Sequence, residues 1–218
     1  MVLLCFDMDN TLLRSNKVHI EAFNQAFVKF GLKKVKAEKL VEHFGKVGIL
    51  VAMSVYPFLQ EREAFRILHE HNRLVVAKTA KYARQIKGAD AALKELKKEG
   101  FKLALLTNCS HEEIKALLKH AHIDAKSFSL FVGADDVRHG KPWPDEILKA
   151  KQVLHAHTVY MIGDSIYDVM TGKKANVKTI AVLTGDFTRR QLLQEKPDYI
   201  LKSVAEVPRL MKEIYKKY

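Results

Sequence analysis

Cysteine is nearly absent. The 218-residue chain has two, Cys5 and Cys109, and neither stands in a CxxC spacing. That excludes the pattern of a zinc ribbon or a disulfide scaffold, and the expectation is two free thiols in a cytoplasmic protein, Cys109 being a small packed residue rather than a redox switch. There is no Pro-rich or Ser-rich tract, no low-complexity segment and no internal repeat, which excludes solenoids and long linkers. No apolar run approaches the about twenty residues of a membrane span, so no membrane partner is expected. The opening MVLLCFDMD reaches two acids too soon and has no basic start, which reads against a secretory signal. Aspartate is missing altogether between residues 14 and 84, where 14 basic residues face 6 acids, a balance of +8 within a total of +12.

What remains suffices for a packed core. The hydrophobic content is 48%, and the length fits one large domain or a core with a smaller insert. Lysine supplies 28 of the 37 basic residues. A solvated Lys/Glu surface and a field that draws in small anions are the two leading readings of this charge. Nucleic acid ranks well below both, because no RNA-binding or DNA-binding motif accompanies the dispersed lysines.

Val2 to Phe6 reads as a short buried strand. Apolar residues then fall at Ile20, Phe23, Phe27 and Phe30, one face of a helix. Helical patterning continues over residues 37–44 and 61–86, broken by Gly45, Gly48 and Pro57. Residues 14–87 are therefore expected to be all-helical. After Gly88, strands alternate with helices: strands FKLALLTN, SLFVGADD, TVYMIGD, VKTIAVLTG and DYIL, with helices over residues 90–99, 112–121, 165–175 and 204–215 and one starting at Pro144. This alternation predicts an α/β fold, a Rossmann-like parallel sheet with helices on both faces. The helical span is an insert. The expected division is a core of residues 1–13 and 88–218 and a helical cap of residues 14–87.

Parallel sheets bind ligands beyond the carboxyl ends of their strands. Polar groups stand at those ends here: Asp7 and Asp9 after the first strand, Thr107-Asn108 after the next, Lys141 in the following loop, and Asp164 with Asp168 after the fourth. Residues i and i+2 of an extended segment point the same way, so Asp7 and Asp9 both reach the site while Met8 turns back. Each piece alone is weak. Asp-x-Asp is often a turn, Thr-Asn a common turn pair, Lys141 an ordinary surface lysine, and Asp164 or Ser165 a helix cap. Together they place carboxylates, a hydroxyl, an amide and a lysine at one spot. That is an inventory for phosphoryl transfer, with hard oxygens suited to Mg²⁺, whose charge offsets repulsion among the acids.

With DMDNT, LLTN, GKPWPD and GDSIYD in this order, the sequence resembles the haloacid dehalogenase superfamily of phosphatases over essentially its whole length. The insert after the first motif is similar to the subgroup with a four-helix cap, which holds phosphoglycolate phosphatases and beta-phosphoglucomutases. The resemblance implies a nucleophilic Asp7 that forms an aspartyl-phosphate, and Asp9 as general acid and then base. It implies Thr107, Asn108 and Lys141 as contacts of the phosphoryl group, and Mg²⁺ on Asp7, the Asp9 carbonyl and Asp164, supported by Asp168. Asn10 stands where many relatives have glycine. It tolerates left-handed backbone and counts with the substrate-binding loop. Asp9 favours phosphate over halide chemistry, since a halide leaves without a proton.

The implied activity is magnesium-dependent hydrolysis of a small phosphorylated metabolite. A phosphomutase and a non-catalytic binding protein are the alternatives, and a phosphonate-cleaving relative ranks lower. The hinges of the cap are expected near residues 14–17 and 86–88. The turn FGKVGI, with Lys46 as an anion contact or an exposed lysine, is the best candidate for touching substrate. The histidines, His19, His43, His69 and His71 among them, follow no ligand spacing and are read as surface or packing residues. Trp143 reads as packing.

Overall fold

The computed structural model describes residues 1–215. Strands β1 (Val2–Phe6), β4 (Lys102–Leu106), β5 (Leu130–Val132), β6 (Thr158–Gly163), β7 (Lys178–Val182) and β8 (Tyr199–Leu201) form one sheet in the order β5-β4-β1-β6-β7-β8. Every pairing in it is parallel. The short strands β2 (Leu13–Arg14) and β3 (Arg84–Gln85) form a separate antiparallel pair. The expected α/β fold is present.

The sheet is buried on both faces, so its strands read as continuous apolar runs rather than alternating ones. Leu3 and Cys5 pack with Ala104, Leu106 and Met161 against Ile147 and Ala150 of helix α7 (Asp145–Val153). Leu4 and Phe6 point the other way, as the two-residue period of a strand requires. They join Leu93 and Leu96 of α5 (Ala89–Lys98), Leu117 of α6 (His111–His120) and Met211 of α10 (Val207–Tyr215). Helix α8 (Ile166–Lys174) buries Val169 against Ala181 of β7 and Leu192 of α9 (Arg189–Gln194). Phe6 is fully buried, and truncating such a side chain to alanine costs about 3–5 kcal/mol.

Between β2 and β3 lie α1 (Asn16–Lys29), α2 (Ala37–Val41), α3 (Gly48–Val55) and α4 (Glu61–Leu74). Phe23, Ala26 and Phe27 of α1 pack with Leu40, Val51, Ile67 and Leu74. Glu70, nearly buried on α4, accepts from Lys29 Nζ at 2.7 Å and Arg73 Nη2 at 2.7 Å, which ties α4 to α1.

Two expectations for this span need correction. The span is not all-helical. Its two ends meet as the β2–β3 ribbon, with Leu13 opposite Gln85 and Arg14 opposite Arg84, and two residues per strand are too few to carry a period-two signal. Nor does one helix run over residues 61–86. α4 ends at Leu74, a π-helical turn covers Val75–Thr79 and a 3₁₀ turn Ala80–Tyr82. No glycine or proline marks that change of winding, so the apolar pattern passes through it unbroken.

Candidate active site

β1 ends at Phe6, but its ladder continues for one residue, with Asp7 N donating to the Ile162 carbonyl at 2.8 Å. The chain then turns back sharply. The amides of Leu12 and Leu13 both donate to the Met8 carbonyl, and Asn10 sits in left-handed backbone at φ 54°, which asparagine accepts more readily than most residues. Met8 is fully buried, while Asp7 and Asp9 both line the pocket beyond the strand ends. Thr107, Asn108, Lys141, Asp164, Asp168, Asn10 and Lys46 line that same pocket.

Its floor is acidic. Carboxylate oxygens of Asp7, Asp164 and Asp168 lie within 4.8 Å of one another, all three residues buried. Lys141 Nζ stands among them, donating to Asp7 Oδ1 at 2.6 Å and to Asp168 Oδ1 at 2.8 Å, and is 3% exposed. Burial first, then the nearby Asp168 and Asp9 charges, push the Asp7 carboxyl up to about 8 despite Lys141. Asp164 is raised by burial, then by Asp7 and Asp168, although Thr11 Oγ1 donates to its Oδ1 at 2.9 Å. Burial works downward on the Lys141 ammonium, but Asp168 and Asp7 overcome it and hold it well above the usual lysine range. Asp168 also closes the N-terminus of α8: its Oδ2 accepts from the Ser165 amide and hydroxyl, and Ser165 Oγ accepts from the Asp168 amide.

These residues fit a hard divalent cation. Three buried carboxylates so close together share one lysine among them. Two are pushed toward the protonated form, so they lack positive charge. Oxygen donors of this kind suit magnesium or calcium better than softer metals.

Asp9 belongs to a different cluster. Its Oδ1 faces His19 Nε2 at 3.1 Å, and its Oδ2 accepts from Cys109 Sγ at 3.4 Å and, weakly, from Thr107 Oγ1 at 3.5 Å. Burial acts upward on its carboxyl, but the charge and hydrogen bond of His19, helped by Cys109, bring it down to about 2. Burial pushes the Cys109 thiol well up, in keeping with a packed residue rather than a redox switch.

Asn108 turns both ends of its amide to the protein. Its Oδ1 accepts from the Lys141 amide at 3.0 Å and its Nδ2 donates to the Gly45 carbonyl at 3.1 Å. The side chain of Asn10 donates to Asn16 Oδ1 at 2.7 Å and Asp186 Oδ2 at 3.3 Å. Among the described residues, Lys46 Nζ contacts only neutral groups, His43 Nδ1 and Ser54 Oγ, both at 3.3 Å.

Two of the histidines read as surface or packing residues are packed at the site itself. His19 and His71 line the pocket in contact with each other. Helical periodicity assigns a residue to a face of its helix; it does not say that the face meets a strand end of the sheet. Glu113 and Thr11, both buried polar groups of this region, also escaped the reading; Thr11 stands inside DMDNT, where its hydroxyl was the available signal. Trp143 is only partly packed: it is 53% exposed, with Lys174 Nζ 4.4 Å and the His139 ring 5.7 Å from its ring centroid.

A parallel sheet with a helical span inserted after its first strand, and an acidic pocket at its strand ends, defines an α/β enzyme. The sequence profile of the haloacid dehalogenase-like hydrolase family matches residues 4–182, and the chain belongs to that family. Pyrophosphatase PpaX of Bacillus mycoides (strain KBAB4) is 27% identical over 216 residues, covering 96% of this chain and 96% of that protein. A crystal structure of a "predicted phosphatase" from Clostridium acetobutylicum superposes with a TM-score of 0.87 at 27% identity, covering 97% of this chain and 98% of the other. A hydrolase from Pseudomonas syringae, at 22% identity, shares the fold with a TM-score of 0.86 over 98% of this chain and 99% of its own.

Proposed function

We propose that this protein is a magnesium-dependent phosphatase that hydrolyses a small phosphorylated metabolite through an aspartyl-phosphate on Asp7. The observation that carries the reading is the buried cluster of Asp7, Asp164 and Asp168 around Lys141. A nucleophilic carboxylate, metal-binding carboxylates and a fixed cation are what in-line attack at phosphorus requires. The names of the relatives, a pyrophosphatase and a phosphatase, support it.

In this reading Asp7 attacks phosphorus, and Lys141 neutralises the phosphoryl oxygens and holds Asp7 in place. Thr107, Asn108 and the backbone of the loop at Asn10 cradle the phosphoryl group. Asp9 is the acid–base group: its carboxyl, held low beside His19, is raised by the negative charge of the incoming phosphate, gives its proton to the leaving oxygen and afterwards takes one from the attacking water. Asp7, Asp164 and the Asp9 carbonyl hold the metal, with Asp168 beside it. When bound, magnesium supplies the positive charge that keeps Asp7 ionised and offsets charge on the transferring group. Residues 14–87 act as the cap over a core of residues 1–13 and 88–218, hinged at the β2–β3 ribbon.

Lys46 takes an anionic group of the substrate, supported by its having no carboxylate partner among the described residues. Much of the pocket wall on the helical side is apolar, including Phe23, Phe44, Val51 and Leu68. This favours a small organic monoester over a second phosphate.

A panel of phosphorylated metabolites, pyrophosphate included, tests the reading with magnesium present. Phosphate release that stops with EDTA and returns with excess magnesium is expected. No release from any member, with or without metal, would rule the reading out, and transfer of the phosphoryl group to a sugar would replace it with a mutase.

The loop carrying Lys46 offers a second test. Gly45 lies at φ +91°, and a Cβ there would meet Tyr167 Cδ2 at 2.6 Å. Gly45→Ala is expected to unseat the loop. KM should rise several-fold, and Tm should fall by only a few degrees, in line with about 1–2 kcal/mol of left-handed strain. An unchanged KM in steady-state kinetics would place the substrate away from this loop.

A further inference from the structure

Behind Asp9 runs a line of side chains that the reaction above does not use. His19 Nε2 faces Asp9 Oδ1 at 3.1 Å, and His19 Nδ1 faces His71 Nε2 at 3.1 Å. His71 Nδ1 in turn faces Asn72 Oδ1 at 2.8 Å, with Glu113 Oε1 at 3.9 Å. The line crosses the molecule: Asp9 follows β1, His19 is on α1, His71 on α4 and Glu113 on α6. His71 is 4% exposed and Glu113 2%. The ring of Phe23 lies 4.0 Å from that of His71, centroid to centroid, and packs it in place.

The direction of the hydrogen bonds follows from the partners. Both groups that face His71 Nδ1, the Asn72 carbonyl oxygen and a Glu113 oxygen, are acceptors. The other oxygen of Glu113 already accepts from the Ser110 amide and hydroxyl, each at 2.9 Å. Nδ1 of His71 therefore carries its proton, and Nε2 offers a lone pair. His19 Nδ1 must donate to that lone pair. One edge of the His19 ring is thereby fixed on His71, and the other is aimed at Asp9. Without an acceptor in that place the ring can turn about its χ2, and Asp9 keeps only the long contacts from Thr107 and Cys109.

We propose that His71 is a positioning residue for the acid–base step: by accepting from His19 Nδ1 it aims His19 Nε2 at Asp9 and holds that carboxyl where the leaving oxygen departs. The proposal rests on the reading of Asp9 as the acid–base group. It makes His71 of α4, more than sixty residues from Asp9 in sequence, part of the apparatus.

The test exploits leaving groups. A poor leaving group needs the proton and a good one does not. Phenyl phosphate and 4-nitrophenyl phosphate have nearly the same shape, so a general loss of packing lowers both. His71→Leu removes the lone pair at similar volume. It is expected to lower kcat on phenyl phosphate by about 10²-fold, the usual size of an acid–base contribution, with KM little changed, and on 4-nitrophenyl phosphate by about threefold or less. His71→Gln, whose amide oxygen can accept from His19, is expected to restore most of the phenyl phosphate rate.

Equal losses on both esters, or no loss on either, would overturn the proposal. If circular dichroism shows that His71→Leu does not fold, the same ratio is read on Asn72→Leu. That variant keeps the ring but removes the main acceptor for its Nδ1, and a ratio unchanged from wild type there counts against the proposal. Wild-type protein inert toward both esters would instead remove the phosphatase reading, and this proposal with it.

Discussion

Asp7→Asn is expected to give a protein that folds at least as well as the wild type and releases no measurable phosphate. The chemical half follows from the proposed role of Asp7 as nucleophile. A carboxylate attacks without needing a base, whereas an uncharged amide oxygen does not form the phosphoryl bond. Removing a group of this kind costs on the order of 10⁴-fold or more.

The structural half follows from the electrostatics. Asparagine keeps an oxygen that can accept from Lys141 Nζ, now 2.6 Å from Asp7 Oδ1. Its loss of charge removes repulsion from Asp164 and Asp168. The sign can be worked through. The folded Asp7 carboxyl is pushed up to about 8, from an ordinary value of 3.8. Between those values the metal-free folded state holds a proton that the unfolded chain has released, so stability falls as pH rises through that window. Asparagine does not titrate and escapes the loss. The Tm of metal-free Asp7→Asn should therefore gain on that of wild type as pH goes from about 4 to about 8. Thermal melts in EDTA at several pH values check the trend, and a phosphate-release assay checks the rate. A variant that still turns over, or whose Tm falls behind with rising pH, would contradict the cluster as described.

The parts of the molecule legible in the sequence are those where a local pattern and a long-range rule agree. VLLCF followed by an acid is a buried strand that must end, and the rule for parallel sheets says where its end points. The same holds for LALL before Thr107 and for the run before Asp164. Helix α8 could be placed because Asp164 or Ser165 stands where a cap is needed, and the structure gives that role to Ser165, in a box with Asp168.

The illegible parts depend on which surfaces meet. His69 and His71 lie two apart on α4, and the sequence could say only that they do not share a face. The structure leaves His69 exposed and buries His71 beside His19. Nothing in the spacing of His19, His71 and Glu113 predicts their meeting, since it depends on how α1 and α4 settle over the strand ends. The β2–β3 ribbon is illegible for the opposite reason: each strand is so short that only pairing defines it. From its place in a turn, Lys46 could be read only as a candidate anion contact or an exposed lysine. Its neutral partners, His43 and Ser54, became known only from the packing of α2 and α3.

Lys141→Met should be the most damaging single change in the pocket for stability. Lys141 is 3% exposed and donates to both Asp7 and Asp168. Methionine fills a similar volume but leaves both carboxylates, with Asp164 nearby, buried without a cation. Removing one partner of a buried ion pair typically costs about 3–5 kcal/mol. For a chain of this size that is on the order of 6–20 °C in Tm. The acids will relieve part of the repulsion by taking up protons, so the deficit should be largest at high pH and smaller in acid. Activity should fall by on the order of 10²–10³-fold, the scale of losing one fixed charge at a transition state.

A divalent ion distinguishes a missing charge from a damaged core. If the loss in Lys141→Met is electrostatic, saturating magnesium should raise its Tm more than it raises that of wild type, because the ion meets a larger uncompensated charge. Calorimetry with and without magnesium reads the difference directly. Equal increments, or a variant as stable as wild type in EDTA, would mean that the acids of the cluster are not held in check by Lys141.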